Sequence, residues 1–197
     1  MILASQSPRR VELMREAGFD FRVIPADIDE TALSGESPFH LVERLARGKA
    51  AAVAAHAEPG ELVVAADTIV AVDGVLLGKP HDPDEARRML RRLSDRSHQV
   101  ATGVCLLRRA GSGDAAGGGA DRVESFVEVT DVSFYPLTDE EIDIYVATGE
   151  PMDKAGAYGI QGIGGRMLVR GIHGDFYNVM GLPIAQVVRR IRAFREQ

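Results

Sequence analysis

Two arginines stand where a helix should carry acids. Ser7-Pro8 reads as a helix N-cap followed by proline at the first helical position, so Arg9 and Arg10 fall in the first turn. That turn exposes unsatisfied N–H groups and partial positive charge, which disfavour a nearby cation by about 0.3–1 kcal/mol. Two other helix starts in the chain, Asp82-Pro83-Asp84-Glu85 and Thr138-Asp139-Glu140-Glu141, obey the rule. The exception is explained if an anion belongs there. Helix-end N–H groups, the Ser5 and Ser7 hydroxyls and two guanidinium forks make a seat for a polyphosphate, the alternative being arginines that are solvated or paired with Asp or Glu.

Other residues of the same chemistry follow. Asp67 succeeds the all-apolar Leu62-Val63-Val64-Ala65-Ala66, so its carboxylate is expected where a buried strand leaves the sheet. It either caps the turn to Thr68 or lies in the ligand crevice at the carboxyl end of the strand. Lys49 falls four residues after Leu45 and seven after Val42, on the stripe that should face the core, so it either snorkels out or points into a cleft. Lys79, in Gly78-Lys79-Pro80, adds a cation on a restrained backbone, and Glu30 lies in an acidic loop that by itself reads as solvated. The stretch Asp153-Lys154-Ala155-Gly156-Ala157-Tyr158-Gly159-Ile160-Gln161-Gly162 has glycines where backbone could approach a ligand closely, although such loops also serve as plain turns. No Walker sequence and no Gly-x-Ser-x-Gly elbow is present. His98, His173, Asn178 and Met180 show no metal or triad spacing and are assigned to packing or loop hydrogen bonds, and Cys105 to an inert core thiol.

The elements that must hold these groups alternate short β-branched runs with helical patterns, which predicts an α/β protein with partly parallel strands. Strands are expected at Met1 to Ser5, Phe21 to Pro25, Leu62 to Ala66, Ile69 to Val72, Val75 to Leu77, Gln99 to Leu107, Val123 to Phe134 and Met167 to Ile172. Asp73-Gly74 marks a hairpin. Helices are expected from Ser7-Pro8 to Gly18, from Ser37-Pro38 to about His56, from Asp82 to about Leu93, from Thr138 to near Gly149, and from Pro183 onward. Gly111 to Ala120 reads as a mobile surface loop without chemistry. No repeat and no linker divides the chain, so residues 1–197 are expected to form a single domain.

Composition limits the partners. Of 197 residues, 45% are hydrophobic and 26% charged, the balance of a globular protein. With 23 basic against 29 acidic residues the net charge is −6, so a broad electrostatic hold on nucleic acid or anionic lipid is not expected and any phosphate must be bound locally. One cysteine makes no intramolecular disulfide, and no apolar stretch reaches membrane-spanning length; both fit a cytoplasmic protein.

The chain resembles the Maf proteins, a family of nucleoside triphosphate pyrophosphatases once described as septum-formation inhibitors. Five motifs in order carry the likeness: Leu3-Ala4-Ser5-Gln6-Ser7-Pro8-Arg9-Arg10, Ala66-Asp67-Thr68-Ile69-Val70, Gly78-Lys79-Pro80, Gly149-Glu150-Pro151-Met152-Asp153-Lys154 continuing to Gly162, and Asn178-Val179-Met180-Gly181-Leu182-Pro183. The resemblance implies a curved mixed sheet flanked by helices, in two lobes with a central cleft, as in inosine-triphosphate pyrophosphatases. It also implies a divalent cation, Mg²⁺ or Mn²⁺, a homodimer, and Asp67 as proton acceptor. Glu30 is the best second carboxylate for the cation, with Lys49 and Lys79 assisting catalysis. Ser5, Ser7, Arg9, Arg10, Thr68, Asp153, Lys154 and Gln161 are the expected substrate contacts. Arg9, Thr68 and Gln161 match the branch acting on dTTP and UTP rather than the branch acting on 7-methylated GTP. Two alternatives stand beside hydrolysis of dTTP and UTP: a nucleotide-binding regulator of cell division that does not hydrolyse, and the same chemistry on a modified nucleotide.

Overall fold

The computed structural model describes residues 1–110 and 120–196. Nearly all of the stretch assigned from sequence to a mobile loop, 111–120, lies outside the described residues. Seven strands form one mixed sheet: β1 (Ile2–Leu3), β2 (Arg22–Val23), β3 (Leu62–Val72), β4 (Val75–Leu77), β5 (Ser97–Arg108), β6 (Arg122–Phe134) and β7 (Val169–His173). Their order is β2-β1-β3-β5-β6-β7, with β4 also on β3. β1 runs parallel to β2 and β3, whereas the β3/β4 and β6/β7 pairs are antiparallel. The helices are α1 (Pro8–Glu16), α2 (Pro38–Ala54), α3 (Pro83–Leu93), α4 (Asp139–Ala147), α5 (Gly165–Leu168), α6 (Phe176–Met180) and α7 (Ile184–Glu196).

Local chemistry explains most boundaries. Asp82 accepts from the Glu85 amide at 2.7 Å to start α3, whose Ala86, Met89, Leu90 and Leu93 then form one buried stripe. Thr138 and Glu141 close a reciprocal capping box on α4. Asp73 and Gly74 both adopt positive φ, 49° and 74°, the conformation that a two-residue hairpin loop requires, and pair Val72 with Val75.

Three differences from the sequence expectation bear on function. β1 and β2 hold only two residues each. The two strands expected on either side of Asp67 are one continuous strand, β3, so Asp67 lies within a strand and not where one leaves the sheet. Ser7 occupies the N-cap position of α1 but its side chain makes no capping bond; instead the Ser7 amide donates to Ser5 Oγ at 3.2 Å.

The chain separates into two compact units. The first comprises Met1–Asp67, Thr102–Val127 and Gly181–Gln197, and in it Ile2, Ala4, Val63, Ala65, Cys105 and Leu107 pack with Ala46, Ala50, Val53 and Ala54 of α2. α2 lies so close to β5 that a Cβ on Gly103 would come 2.3 Å from the Val42 carbonyl oxygen. The second comprises Thr68–Ala101 and Glu128–Met180, with a core built from α3, α4, Val70, Val132, Phe134, Tyr158 and Leu168. Each fully buried Leu or Phe contributes about 1.5–3 kcal/mol, so each unit has a core of its own.

Candidate active site

In the first unit a short β1 leaves work for a side chain. The Ala4 amide donates to Val64 O at 2.8 Å, and continuing that ladder would bring the amide of residue 6 to Ala66 O. The chain turns into α1 instead, and Arg10 supplies the donor: its Nη1 reaches Ala66 O at 2.7 Å and Ser5 Oγ at 3.3 Å, while Nε reaches Gly181 O at 2.8 Å. Burial pushes the Arg10 pKa below its usual value, and the Asp67 charge opposes that shift. Arg10 is therefore a cation fixed on the protein's own carbonyls. Arg9 is half-buried in the first turn of α1, and that turn contains no acidic residue.

The anomalous Lys49 points to carboxylates. From the buried stripe of α2 its ammonium lies 2.6 Å from Asp67 Oδ1 and 2.6 Å from Glu30 Oε1. The Lys49 and Asp67 side chains are each 12% exposed, so neither snorkels, whereas Glu30 is 58% exposed and can move. Asp67 thus serves as a charged partner inside the unit rather than as a turn cap. The loop carrying Glu30 is tied to α2 by Arg44, whose guanidinium spans both Glu36 oxygens at 2.7 Å and donates to Thr31 O at 3.0 Å. That pairing holds the Glu36 carboxyl down at about 2. Sequence reasoning missed Arg44 and Glu36, which are ordinary surface residues except for their positions.

Two acidic side chains converging on a cation are the right donors for a hard divalent ion, which often takes one or two carboxylates and completes its shell with phosphate and water. Among the described residues no group of three His, Cys, Asp or Glu could form a fuller cage. Asp67 and Glu30 therefore fit a substrate-assisted metal site in ligand type.

The second unit holds the remaining candidates. Thr68 follows Asp67 on β3 and is half-buried, and Lys79 is exposed just after β4. The adjoining Gly78 carbonyl accepts from the Gly156 amide at 3.0 Å, which fastens the Lys79 segment to the glycine-rich loop. Lys154 Nζ is 2.6 Å from Asp153 Oδ1 and 2.6 Å from Glu150 O, so both charged residues of that motif are engaged locally. The glycines are explained by the protein itself: a Cβ on Gly156, Gly159 or Gly162 would fall 2.9 Å from Val70, 2.4 Å from Lys154 or 1.7 Å from Glu150. Gln161 is half-buried in a tight turn closed by Gly162 N to Gly159 O at 2.9 Å. Before it, the Tyr158 hydroxyl meets His98 Nε2 at 2.7 Å, and both rings stack edge-on with Phe134. Burial lowers the His98 pKa to about 4, so the ring is neutral near pH 7. Burial likewise raises the Cys105 thiol to about 11, as an inert core cysteine should show.

Comparison with known proteins adds relatives of nearly the same length. The family described as Maf-like protein matches residues 1–194. A protein of Symbiobacterium thermophilum named dTTP/UTP pyrophosphatase is 53% identical, the match covering 98% of this chain and 93% of that protein. Proteins of the same name from Koribacter versatilis and Bacillus velezensis are 51% and 47% identical, over 98% of this chain and 93% and 96% of theirs. A solved Ham1 protein from Coxiella burnetii is 17% identical, with a TM-score of 0.49 over 98% of both chains.

Proposed function

The chain belongs to the Maf family, and from that premise we propose that it hydrolyses nucleoside triphosphates, dTTP and UTP by preference, to the monophosphate and pyrophosphate. The observation that carries the chemistry is the ammonium of an otherwise misplaced Lys49, held between the Asp67 and Glu30 carboxylates.

In the proposed reaction a water oxygen bonds to the α-phosphorus, and the bridge to the β-phosphate breaks with its electron pair on the departing pyrophosphate. Asp67 Oδ takes the proton of the attacking water, and the Lys49 ammonium, 2.6 Å away, holds that carboxylate in place. Arg9 and the N-terminal amides of α1 hold the phosphate tail, with Ser5 and Ser7 beside them, and Lys79 assists catalysis as a further cation. Arg10 contributes fixed positive charge and the shape of the turn. A Mg²⁺ or Mn²⁺ ion held by Asp67, Glu30 and the substrate's phosphates would neutralise charge on the leaving group and acidify bound water. Asp153 and Lys154 extend the substrate surface of the second unit, while Thr68 and Gln161 face the base. A carboxamide such as that of Gln161 donates to a ring carbonyl and accepts from the neighbouring ring N–H, the pattern of uracil and thymine. The working protein is proposed to be a cytoplasmic homodimer.

Incubation with dTTP and Mg²⁺, followed by chromatography, should give dTMP and pyrophosphate in equal amounts, and none when EDTA is present. Release of orthophosphate with dTDP would overturn the proposed bond. Binding without turnover would favour the non-hydrolysing regulator, and a panel including 7-methyl-GTP ranks the bases.

A further inference from the structure

Gln161 is held by its turn, and the turn by two side chains, Tyr145 and Glu150, to which the reaction above gives no part. The turn runs Gly159-Ile160-Gln161-Gly162 and continues to Gly164 and Gly165. The Gly159 amide donates to the Tyr145 hydroxyl at 3.2 Å, that hydroxyl donates to Glu150 Oε1 at 3.1 Å, and the Gly164 amide donates to Glu150 Oε2 at 3.4 Å. One phenol and one carboxylate therefore bracket Gln161 two residues before and three residues after it. The packing is close: a Cβ on Gly164 would fall 2.4 Å from the Tyr145 ring and one on Gly165 2.1 Å from Gly159 O.

We propose that Tyr145 and Glu150 are positioning residues for base selection, fixing the turn so that the Gln161 carboxamide meets the base at one place. This rests on the functional assignment above, in which Gln161 faces the base. Tyr145 is 3% exposed, and its hydroxyl uses both its capacities, accepting from Gly159 and donating to Glu150. Burial also pushes its pKa well above the usual tyrosine value, so it remains a donor across the working pH range. Removing that one oxygen orphans a backbone N–H at one end of the turn and frees the carboxylate at the other, while the ring that packs on Gly164 stays in place. The turn is then loosened with the unit's core unchanged.

The test is Tyr145→Phe, with Glu150→Gln as a second variant should the first not fold. Steady-state rates are measured on dTTP and dCTP, whose bases offer opposite donor and acceptor patterns to a carboxamide. The ratio of kcat/KM values for dTTP over dCTP should fall about five- to tenfold, the weight of roughly one hydrogen bond, through a higher KM for dTTP. In a Gln161→Ala background the same substitution should leave the ratio unchanged, because nothing remains to be positioned. A parallel fall on both nucleotides, or an unaltered ratio, would overturn the proposal while leaving the functional assignment intact. A wild-type chain that hydrolyses no triphosphate would overturn both.

Discussion

The two units prepare their candidate residues by opposite means. In the first, full charges face one another on regular elements: Lys49 of α2 lies against Asp67 of β3 and Glu30, and Arg10 of α1 lies against the carbonyls of Ala66 and Gly181. In the second, a glycine turn is set by neutral donors and acceptors, by the single Glu150 carboxylate, and by a neutral His98 bonded to Tyr158. Charges grip any triphosphate, since every nucleotide carries the same tail. A hydrogen-bonded turn has fixed directions and suits discrimination among bases. Changes at the charged cluster of the first unit should therefore alter rate on all nucleotides alike, and changes at the glycine turn of the second should alter preference.

The largest expected effect tests the first half of that contrast. Asp67→Asn keeps the shape of the side chain but removes the proton acceptor and one of the two charges on Lys49. Turnover should fall about 10³-fold, equally for dTTP, UTP and dCTP, with the melting transition retained. A loss confined to one nucleotide would break the division between the units.

Acid separates the units on another axis. His98 has its folded pKa lowered to about 4 from an ordinary 6.5, so the unfolded chain binds the proton first and stability falls as pH drops through that window. The full loss is about 3 kcal/mol, at 1.36 kcal/mol per pKa unit. Glu36 and Glu61 of the first unit are held down at about 2 by Arg44 and Arg22, so their contribution is lost only as pH falls from 4.5 toward 2. Hydrogen exchange from pH 7 to 4.5 should show the second unit's amides losing protection first, and His98→Gln should flatten that trend. Equal loss in both units would show that His98 does not govern it.

A smaller effect is expected from Arg10→Lys. An ammonium cannot span Ala66 O and Gly181 O as the guanidinium fork does, and losing one charge-assisted bond should lower stability by about 2 kcal/mol in urea titration. Activity should fall on all nucleotides together. A shift in base preference would contradict the comparison.

The charged half was the more legible in sequence because charges in the wrong place are visible without coordinates. Lys49 violates the helical apolar stripe, and Arg9 and Arg10 violate the electrostatics of a helix start. Even so, the pattern did not separate Arg10 from Arg9, since which guanidinium turns back to the sheet depends on how short β1 is. Asp67 was found, but its placement at a strand end was wrong, because an apolar run followed by Asp-Thr does not reveal that the ladder continues through it. The hydrogen-bonded half was legible only as a motif. Its glycines suggested close approach by a ligand, whereas Gly156, Gly159 and Gly162 lie against Val70, Lys154 and Glu150, the first of these a contact between residues far apart in sequence. The capping box predicts the helix that carries Tyr145, and nothing in α4 signals that its hydroxyl reaches a turn fourteen residues on.

The finest distinction lies between two serines that the sequence treats alike. Ser7 holds the N-cap position yet makes no capping bond, while Ser5, two residues earlier and 7% exposed, accepts from both the Ser7 amide and Arg10 Nη1. Ser5→Ala removes that shared acceptor and should cost about 1 kcal/mol, the usual weight of a lost hydrogen bond. Ser7→Ala removes no cap and should leave the urea midpoint unchanged while raising KM for every triphosphate, because its hydroxyl is left for the phosphate tail. If Ser7→Ala proved the more destabilising, α1 would be capped as its sequence suggests, and Arg10 would lose its role as the cation that orders this turn.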